Sequence, residues 1–464
     1  MNKLALFGGT PVFSEDKSLE DPWPITTDEE RQAVERVLNS GQFIGLHNAE
    51  VEEFESEYAK FVGTQYAMAF GTGTSSLHAA VASSGIKPGE EVIVPALTFL
   101  ASATAIIQQL GIPVFADIDP ITYNIDPASI ENYVTDRTRA IMAVDLHGLP
   151  ADYPALRKIC DKHGLVLISD AAHSIGAMQN GKMCGSLADV TGTSIMPAKQ
   201  LATCGEGGVL STDRVEFFNK AGMVRMFGEV IEKDKPRAYN AFTLGYNYRF
   251  NSIQAAYVRS QLKKLPNNIR RFQENAAFLG KGLEQLTGII PPIIPEHNTH
   301  AFHMFRIRFE PEKAGLDIHT GRFIKAVETA MQAEGLPLRF YQNIPVPGQI
   351  LFRVKEGFGN GIPWTLPNAR EIRYDINEYP MTLDVLENTR CIGKSGSSGP
   401  NYFLNRRTME LYLEAFQKVW ENLSIIADHA RKIDYQVPWS SFAPSTRGTW
   451  TIFTPKDNPS SKDR

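Results

Sequence analysis

Apolar and polar positions alternate regularly along the first half of the chain. From residue 66 onward, apolar runs of strand length are separated by segments with helical periodicity. The predicted strands are residues 66–70, 91–94, 113–116, 140–144, 165–169 and 190–194. The helices predicted between them are residues 74–82, 97–110, 127–133 and 153–163. Apolar strands that alternate with helices indicate βαβ units and a mainly parallel sheet covered on both faces, so the predicted fold class is α/β.

Further helices precede and follow this alternating region. Residues 27–38 predict a helix that opens with a capping box, because Thr27 is followed three positions later by Glu30. Residues 252–286 are strongly helical, and Pro266 should split or kink that helix. The other elements predicted are helices at 48–61, 321–334 and 408–426 and a strand at 299–309.

The second half of the chain predicts a different organisation. Residues 342–401 are rich in proline and glycine and predict long loops. The last residues, 457–464, are expected to be disordered. The predicted organisation is an arm at 1–25, a large α/β domain at 26–250, a bridging helix at 251–286, a smaller α+β domain with a loop-rich insertion at 287–440, and a tail at 441–464.

Composition narrows the classes of function. The 464 residues, 43% hydrophobic and 21% charged, are ordinary for a globular protein of two or three domains. The net charge is −5, from 47 basic and 52 acidic residues without a basic block, so neither a nucleic acid nor a membrane is expected as a partner. The longest apolar runs have strand length, far below the roughly 20 residues of a membrane span. The N-terminus resembles no secretory signal, and a cytoplasmic location is expected.

The four cysteines predict neither disulfides nor a metal site. Cys160, Cys184, Cys204 and Cys391 include no CxxC pair. Such cysteines are typical of reduced thiols in a cytosolic protein, rather than of a disulfide framework or a zinc site.

A glycine- and threonine-rich turn joins the first predicted strand to its helix. Residues 71–76, Gly-Thr-Gly-Thr-Ser-Ser, would place flexible backbone at a helix N-terminus, where free N–H groups and the helix dipole favour a phosphate. Gly73 and Thr74 are the candidate phosphate ligands. A tight turn with a Ser or Thr cap explains the same residues without a ligand, and the third glycine of a dinucleotide fingerprint is missing.

An aspartate and a lysine follow two later strands. Asp170 comes after the apolar run 165–169 and could pair with a protonated ring nitrogen of a cofactor, with His173 beside it. Lys199 lies 29 residues later in a glycine-rich segment, where burial could lower its pKa enough to make it a nucleophilic amine. Taken singly, a helix-capping aspartate and a solvated loop lysine are the commoner explanations.

Three further positions complete the candidate set. Phe99 follows a strand end and could stack on a flat cofactor, although a core phenylalanine at a helix start is the commoner explanation for this residue alone. Ser194 could bind a phosphate oxygen. Asn247 could reach a ligand or a subunit interface, or it could belong to a structural loop. The order of a phosphate turn, an aromatic residue, an aspartate, a serine and a lysine at successive strand ends favours one cofactor site.

Together these motifs resemble the DegT/DnrJ/EryC1/StrS family of pyridoxal-phosphate-dependent aminotransferases. The resemblance covers about residues 6–285 and rests on GTGTSSLHAA, PGEEVIVPALTFLASATAI, PVFADIDPITYNIDP, SDAAHSIGA, SIMPAKQLATCGEGGVL and GYNYRFNSIQAA. It implies the type I fold of these transferases, like that of aspartate aminotransferase, with a mainly parallel seven-stranded sheet. The opening LALFGGTPV is similar to the cyclitol and aminohydroxybenzoate branches of the family.

The resemblance also implies roles for individual residues. Lys199 would be the catalytic lysine that forms the Schiff base with pyridoxal 5′-phosphate and carries the proton. The residues that the resemblance implies as cofactor ligands are Gly73, Thr74 and Ser194 for the phosphate, Phe99 stacked on the ring, Asp170 at the ring nitrogen and His173 near the ring hydroxyl. Asn247 would reach the phosphate of the neighbouring subunit, which implies a homodimer with shared active sites.

The implied reaction moves an amino group from glutamate or glutamine to a keto-sugar nucleotide or keto-cyclitol, in secondary-metabolite or cell-surface sugar biosynthesis. Related sugar dehydratases carry a histidine in place of the lysine, so Lys199 disfavours that reaction. Two alternatives stay open: another lysine-dependent pyridoxal reaction on an amino acid, of the elimination or aldol type, and a non-catalytic regulator that binds the cofactor. Residues 145–148, Asp-Leu-His-Gly, depart from the family's usual His-x-Tyr-Gly and leave the substrate contacts there open.

Overall fold

The predicted alternation of strands and helices is present in the structure. This computed structural model describes residues 3–14, 22–43, 48–232, 235–393 and 405–440. In these ranges the strands are β1 (Tyr66–Phe70), β2 (Glu91–Pro95), β3 (Ile112–Ala116), β4 (Thr138–Val144), β5 (Val166–Asp170), β6 (Met178–Gln179), β7 (Lys182–Met183), β8 (Val190–Ser194), β9 (Gly208–Thr212), β10 (Ile289–Ile290), β11 (Arg306–Phe309), β12 (Leu338–Arg339) and β13 (Thr389–Ile392). The helices are α1 (Asp28–Ser40), α2 (Ala49–Val62), α3 (Gly73–Ser83), α4 (Leu100–Gln108), α5 (Pro127–Ile130), α6 (Tyr153–His163), α7 (Val215–Arg225), α8 (Ser252–Leu283), α9 (Thr320–Ala333), α10 (Ile350–Val354), α11 (Pro380–Asn388), α12 (Arg406–Glu421) and α13 (Leu423–Ala430).

Seven of the described strands form the main sheet, in the order β1-β9-β8-β5-β4-β2-β3. Neighbours from β8 to β3 are parallel, and only β9 runs antiparallel to its two neighbours. The α/β class and the mainly parallel seven-stranded sheet are therefore confirmed. Because six strands run in one direction, their carboxyl ends gather at one edge of the sheet, where ligands bind in open α/β folds.

The two faces of the sheet follow from the alternation of side chains along each strand. In β2, Val92 and Val94 pack into a core with α3, α4 and α7, whereas Ile93 packs into a second core with α6. Since both faces are covered by helices, β2 is apolar at consecutive positions rather than at every second one.

Helix α8 is continuous, so the predicted split at Pro266 is wrong. It runs for 32 residues through Pro266. Leu265, Ile269 and Phe272 on either side of the proline are buried in the core. The packing of this apolar face compensates for the hydrogen bond that proline cannot donate.

Several predicted boundaries differ from the structure. The helix predicted at 97–110 begins only at Leu100, because Phe99 is its extended N-cap residue. The helix predicted at 408–426 is two helices that meet at Asn422, whose backbone is not helical (φ −115°, ψ 26°). Strand β9 and helix α7 were missed by the pattern.

The second half of the chain contains a small antiparallel sheet in the order β10-β11-β13-β12. Residues 342–393 are less loop-rich than predicted, since they include α10, α11 and β13. This segment packs on the edge of the main sheet, where Tyr374 donates a 2.8 Å hydrogen bond to the carbonyl of Pro113. The predicted loops at 394–401 and the predicted disordered tail lie outside the described residues, and the domain boundaries remain a prediction.

The N-terminal arm is fastened to the second half of the chain by Glu334. The carboxylate of Glu334 accepts hydrogen bonds from the backbone N–H of Ala5 at 2.8 Å and of Val12 at 3.0 Å. It also forms a buried salt bridge of 2.7 Å with Nζ of Lys418 on α12, which itself donates to the carbonyl of Thr10. The arm therefore lies against its own chain at these points.

Candidate active site

The last residues of two neighbouring parallel strands define the candidate site. Asp170 ends β5, and Ser194 ends β8. The strands pair so that Asp170 lies opposite Gly192, two residues before Ser194. The loop that follows β8 carries Lys199. The parallel register thus brings the predicted aspartate, serine and lysine to one edge of the sheet.

The glycine-threonine turn lies against the end of β8. A Cβ atom on Gly73 would be only 2.5 Å from Cβ of Ser194, so only glycine fits there. Thr72 caps α3, and its hydroxyl accepts a 3.0 Å hydrogen bond from the N–H of Ser75. The N–H groups of Gly73 and Thr74, in the first turn of α3, have no acceptor within the helix. Together with the hydroxyl of Ser194, they make a cradle that suits a phosphate.

Asp170 is a buried carboxylate held in place by two donors. Its Oδ2 accepts a 2.7 Å hydrogen bond from Ser102, and its Oδ1 accepts one of 3.1 Å from the N–H of Ala172. Burial raises the pKa of Asp170, and the hydrogen bond from Ser102 and the charge of Lys199 oppose that rise. Within the described ranges no Lys or Arg forms a salt bridge with Asp170, so the carboxylate is available to a cationic ligand.

Lys199 lies in the loop that follows β8, and it is partly buried. Burial lowers the pKa of Lys199 to about 8, against the opposing charges of Asp170 and Glu206. The indole N–H of Trp23 in the N-terminal arm donates a 3.1 Å hydrogen bond to the carbonyl of Lys199. The arm therefore covers the lysine loop. With a pKa of about 8, roughly a tenth of the amine is neutral at pH 7.

His173 lies in a stack of buried histidines. Its ring stacks on His303, with centroids 4.0 Å apart, and its Nδ1 accepts a 3.3 Å hydrogen bond from the backbone N–H of His147. The hydroxyl of Tyr341 lies 3.4 Å from Nε2 of His173. Burial and the charge of Lys199 hold the pKa of His173 well below its usual value. The imidazole is therefore neutral and can offer a hydrogen bond rather than a charge.

Two predicted residues are exposed. Phe99 is 60% exposed at the N-cap of α4, one turn before Ser102. Asn247 is exposed, and its side-chain oxygen accepts a 2.9 Å hydrogen bond from Arg249. The next residue, Tyr248, accepts at its carbonyl from the N–H of Gly71 at 2.9 Å, so Asn247 adjoins the phosphate turn from the outside.

The structure adds residues that the sequence pattern did not single out. Ser102 fixes Asp170, Trp23 covers the lysine loop, and His303 and Tyr341 contact His173. Ser102 belongs to a motif already quoted, and its spacing of one helical turn from Phe99 was an available signal. His303 and Tyr341 come from the distant second half of the chain, and no local pattern linked them to the site.

Asp145, in the segment that departs from the family's usual pattern, is structural. Its carboxylate accepts hydrogen bonds from Ser174 at 2.6 Å, Tyr153 at 2.9 Å and the N–H of Ala151 at 3.0 Å. Burial raises the pKa of Asp145 to about 6. It therefore braces the loop that carries His147 and has no free oxygen to spare for a substrate.

Among the described residues, no group of three or more His, Cys, Asp or Glu is arranged to hold a metal ion. In the same part of the chain, none of the helices combines the length and the apolar character that crossing a membrane requires.

Comparison with known proteins gives one consistent family. The model of the DegT/DnrJ/EryC1/StrS aminotransferase family matches residues 24–389. The chain is 33% identical over 316 residues to the UDP-2-acetamido-2-deoxy-3-oxo-D-glucuronate aminotransferase of Pseudomonas aeruginosa, a match that covers 68% of this chain and 82% of that protein. It is 32% identical over 359 residues to a pleiotropic regulatory protein of Geobacillus stearothermophilus, covering 77% and 90% of the two chains.

A solved structure agrees with these matches. The crystal structure of 3-amino-5-hydroxybenzoic acid (AHBA) synthase superposes with a TM-score of 0.74 and 28% identity, covering 89% of this chain and 99% of the other. The sequence motifs, the sheet and these similarities therefore agree.

Proposed function

This chain is a member of the DegT/DnrJ/EryC1/StrS aminotransferase family, and from that membership we propose its reaction. The protein uses pyridoxal 5′-phosphate to move an amino group from glutamate or glutamine to a keto-sugar nucleotide or a keto-cyclitol. The observation that carries the proposal is the position of Lys199, whose buried amine lies within electrostatic reach of Asp170. Relatives whose names specify a keto-sugar acid or AHBA support this class of acceptor.

The residues at the sheet edge fit pyridoxal phosphate at both ends. Gly73, Thr74 and Ser194 would hold the phosphate. The close approach of Gly73 to Ser194 brings the Ser194 hydroxyl beside the free backbone N–H groups at the start of α3. Asp170 would hold the ring nitrogen, since a buried carboxylate without a salt bridge suits a protonated pyridine. Lys199 would hold the aldehyde carbon, and Phe99 and His173 would flank the ring.

Lys199 does most of the chemical work assigned to the protein. With its pKa lowered to about 8, its amine is neutral often enough to act as a nucleophile and as a base. As a free amine beside the cofactor's aldehyde carbon, Lys199 would accept the proton from the donor's α-carbon and would deliver it to that aldehyde carbon. A keto acceptor then uses the same residues in reverse, so donor and acceptor alternate in one pocket.

The other side chains set the charge around this transfer. When bound, pyridoxal phosphate supplies an electron sink for the pair released as the C–H bond next to nitrogen breaks. Asp170 would keep the ring nitrogen protonated, and Ser102 favours the charged form of Asp170 through its 2.7 Å hydrogen bond. His173, with a pKa held low, offers a neutral donor near the ring hydroxyl.

The proposal includes a homodimer in which Asn247 reaches the partner's phosphate. Asn247 is exposed and follows a segment with unusual apolar exposure: Tyr239, Phe242 and Leu244 are 77%, 68% and 75% exposed. Large exposed apolar side chains grouped in this way are typical of an interaction surface. A second copy on this surface would shield them and bring Asn247 to a neighbouring site.

A cytoplasmic location is also part of the proposal. Cys160, Cys184, Cys204 and Cys391 are all free thiols in the structure. Unpaired cysteines are typical of a reducing compartment.

The donor half-reaction tests the proposed function. Cofactor-loaded protein should lose its visible absorption band when glutamate or glutamine is added, and a keto acceptor should restore it. Lys199→Ala should abolish both changes, whereas Lys182→Ala, an exposed lysine on β7, should retain them. A band that no amine donor alters would support the regulator alternative, and a Lys199→Ala variant with full turnover would refute the mechanism.

A further inference from the structure

Two arginines of strand β11 have opposite surroundings. Arg308 is paired: its Nη1 lies 2.7 Å from Oδ2 of Asp384, and its Nε lies 3.3 Å from Oε1 of Glu310. Arg306 is only 3% exposed, yet within the described part of the chain its Nε and Nη1 atoms have no hydrogen-bond partner. A buried charge is costly unless it is paired, so an anion from outside the chain is the partner that Arg306 lacks.

Arg306 lines a small cleft that is partly open to solvent. His147 lines the same cleft and is 3% exposed, and among the described residues neither of its ring nitrogens has a hydrogen-bond partner. The guanidinium of Arg306 lies over the ring of Tyr123, 5.4 Å from its centroid. Among the described residues, no Asp or Glu lines the cleft, and most of the wall is apolar. The cleft therefore combines one cationic side chain and several nitrogen atoms without hydrogen-bond partners with a mostly apolar wall.

The cleft adjoins the candidate active site through His147. The backbone N–H of His147 donates to His173, and the rings of His147 and Tyr341 are 4.9 Å apart. Neither Lys199 nor Asp170 lines the cleft. The cleft therefore adjoins the residues that contact His173, on the side away from Lys199 and Asp170.

We propose that this cleft is a carboxylate subsite, and that the keto acceptor carries the carboxylate on its ring; the inference rests on the proposed function. A single guanidinium matches one negative charge. The cleft is small and its wall is largely apolar, so it suits the acid end of one ring rather than a nucleotide. Arginine is the residue that proteins favour for binding carboxylates.

A donor carboxylate is the other source of the same chemistry. The α-carboxylate of glutamate or glutamine is bonded to the reacting carbon and must stay beside Lys199, outside this cleft. The γ-carboxylate of glutamate could extend further, and glutamine carries a neutral amide at that position. A comparison of the two donors therefore separates a donor subsite from an acceptor subsite.

Binding of a ring acid to the cofactor-loaded protein tests the subsite directly. Quinate is a hydroxylated cyclohexane that carries one carboxylate, and methyl quinate is the same ring with that charge masked. Ligand-observed NMR titration should detect binding of quinate and much weaker binding of the ester. Arg306→Gln should weaken quinate binding at least about tenfold, as expected for the loss of a charged hydrogen bond.

Matched variants separate binding from folding. Arg308→Gln, on the same strand but outside the cleft wall, should bind quinate like the wild type. If Arg306→Gln fails to fold, Arg306→Lys keeps the charge, and His147→Gln keeps polar groups at the second unpartnered position. Both should bind quinate less tightly than the wild type. Equal binding of quinate and its ester, or unchanged quinate binding in every folded cleft variant, would overturn the proposal.

The half-reactions complete the test. Arg306→Gln should leave the rate of the glutamate half-reaction and the rate of the glutamine half-reaction at their wild-type values. A selective loss with glutamate would assign the cleft to the donor's γ-carboxylate and overturn the acceptor assignment. If the wild type shows no half-reaction with any donor, the proposed function fails, and that outcome is separate from quinate binding.

Discussion

The hydroxyl of Ser102 donates a 2.7 Å hydrogen bond to Oδ2 of Asp170, and both residues are buried. The same hydroxyl lies 2.8 Å from that of Thr98, so the start of α4 is tied to the carboxylate at the end of β5. Burial alone raises the pKa of Asp170, and the serine opposes that rise. Ser102 thus keeps charged the group that would hold a cofactor nitrogen.

Replacing Ser102 with alanine should weaken the retention of pyridoxal phosphate. A hydrogen bond to a charged group contributes about 1.5–3 kcal/mol, so the dissociation constant should rise at least about tenfold. Fluorescence titration of the apoprotein measures it. Ser83→Ala removes another buried helix hydroxyl, which donates only to the carbonyl of Ala80, and serves as the control. Identical constants for both variants would contradict the role given to Ser102.

Capture of pyridoxal phosphate by the apoprotein should accelerate as the pH rises through about 8. Lys199 reacts as the neutral amine, and burial lowers its pKa to about 8, so the reactive fraction grows up to that pH and then levels off. Stopped-flow absorbance gives the rate at each pH. A rate that keeps climbing toward pH 10.5 would instead indicate an ordinary, fully solvated lysine.

The same profile should move to lower pH in Asp170→Asn. The negative charge of Asp170 raises the pKa of Lys199, so its removal lowers the midpoint. Glu206→Gln acts in the same direction but more weakly, because Glu206 is exposed and its field is screened by solvent. Measured at one ionic strength, both midpoints should lie below the wild-type value, and that of Asp170→Asn should be the lower of the two.

Gly73→Ala should impair binding of the phosphate more than binding of the ring. The new Cβ would lie 2.5 Å from Cβ of Ser194, so the turn must move away from β8. Overpacking of this kind costs about 1–3 kcal/mol. Affinity for pyridoxal phosphate should fall on the order of tenfold, whereas affinity for pyridoxal, which lacks the phosphate, should change little. Gly280→Ala on α8, whose Cβ would meet only Pro291 at 3.8 Å, is the control for a tolerated substitution.

Asp145→Asn should stabilise the protein increasingly as the pH rises from about 4 to 6. The folded state raises the pKa of Asp145 to about 6, so it binds the proton more tightly than the unfolded chain does. Stability from this group is present at low pH and is lost as the pH rises toward 6. The amide has no proton to lose and can keep the bonds to Ser174 and Tyr153. Denaturant unfolding at pH 4 and pH 7 should show a gain of about 3 kcal/mol for the variant relative to the wild type.

Leu244→Asp should shift the protein from dimer to monomer and weaken cofactor binding together. Leu244 is 75% exposed, and a charge there would oppose burial against a second copy. Asn247→Ala should weaken cofactor binding without changing the mass, if it acts across the interface. Sedimentation measures the mass, and Ile425→Asp on α13, 44% exposed, is the surface control. A monomeric wild type would refute the dimer.

The sequence predicted the strands and site residues at the sheet edge better than the residues from the second half of the chain that pack against them. Strands β1 and β8 were predicted with their exact ends, because apolar runs and turn residues are local signals. The contact of Tyr341 with His173 spans 168 residues and depends on how the two halves pack, which no local pattern encodes. Arg306 was missed for a related reason: the neighbouring arginine on its strand is paired, and only the fold shows that Arg306 is not.

The fastening of the arm at Glu334 gives the order of synthesis a structural meaning. Lys418 lies 408 residues beyond Thr10, so the contact between them can form only after α12 has been made. Trp23 is held separately, because its ring packs on Phe272 of α8 and the carbonyl of Ile25 accepts a hydrogen bond from Gln261 of the same helix. A chain that ends before α12 therefore lacks the ion pair of Glu334 but contains every residue that holds Trp23 over the lysine loop.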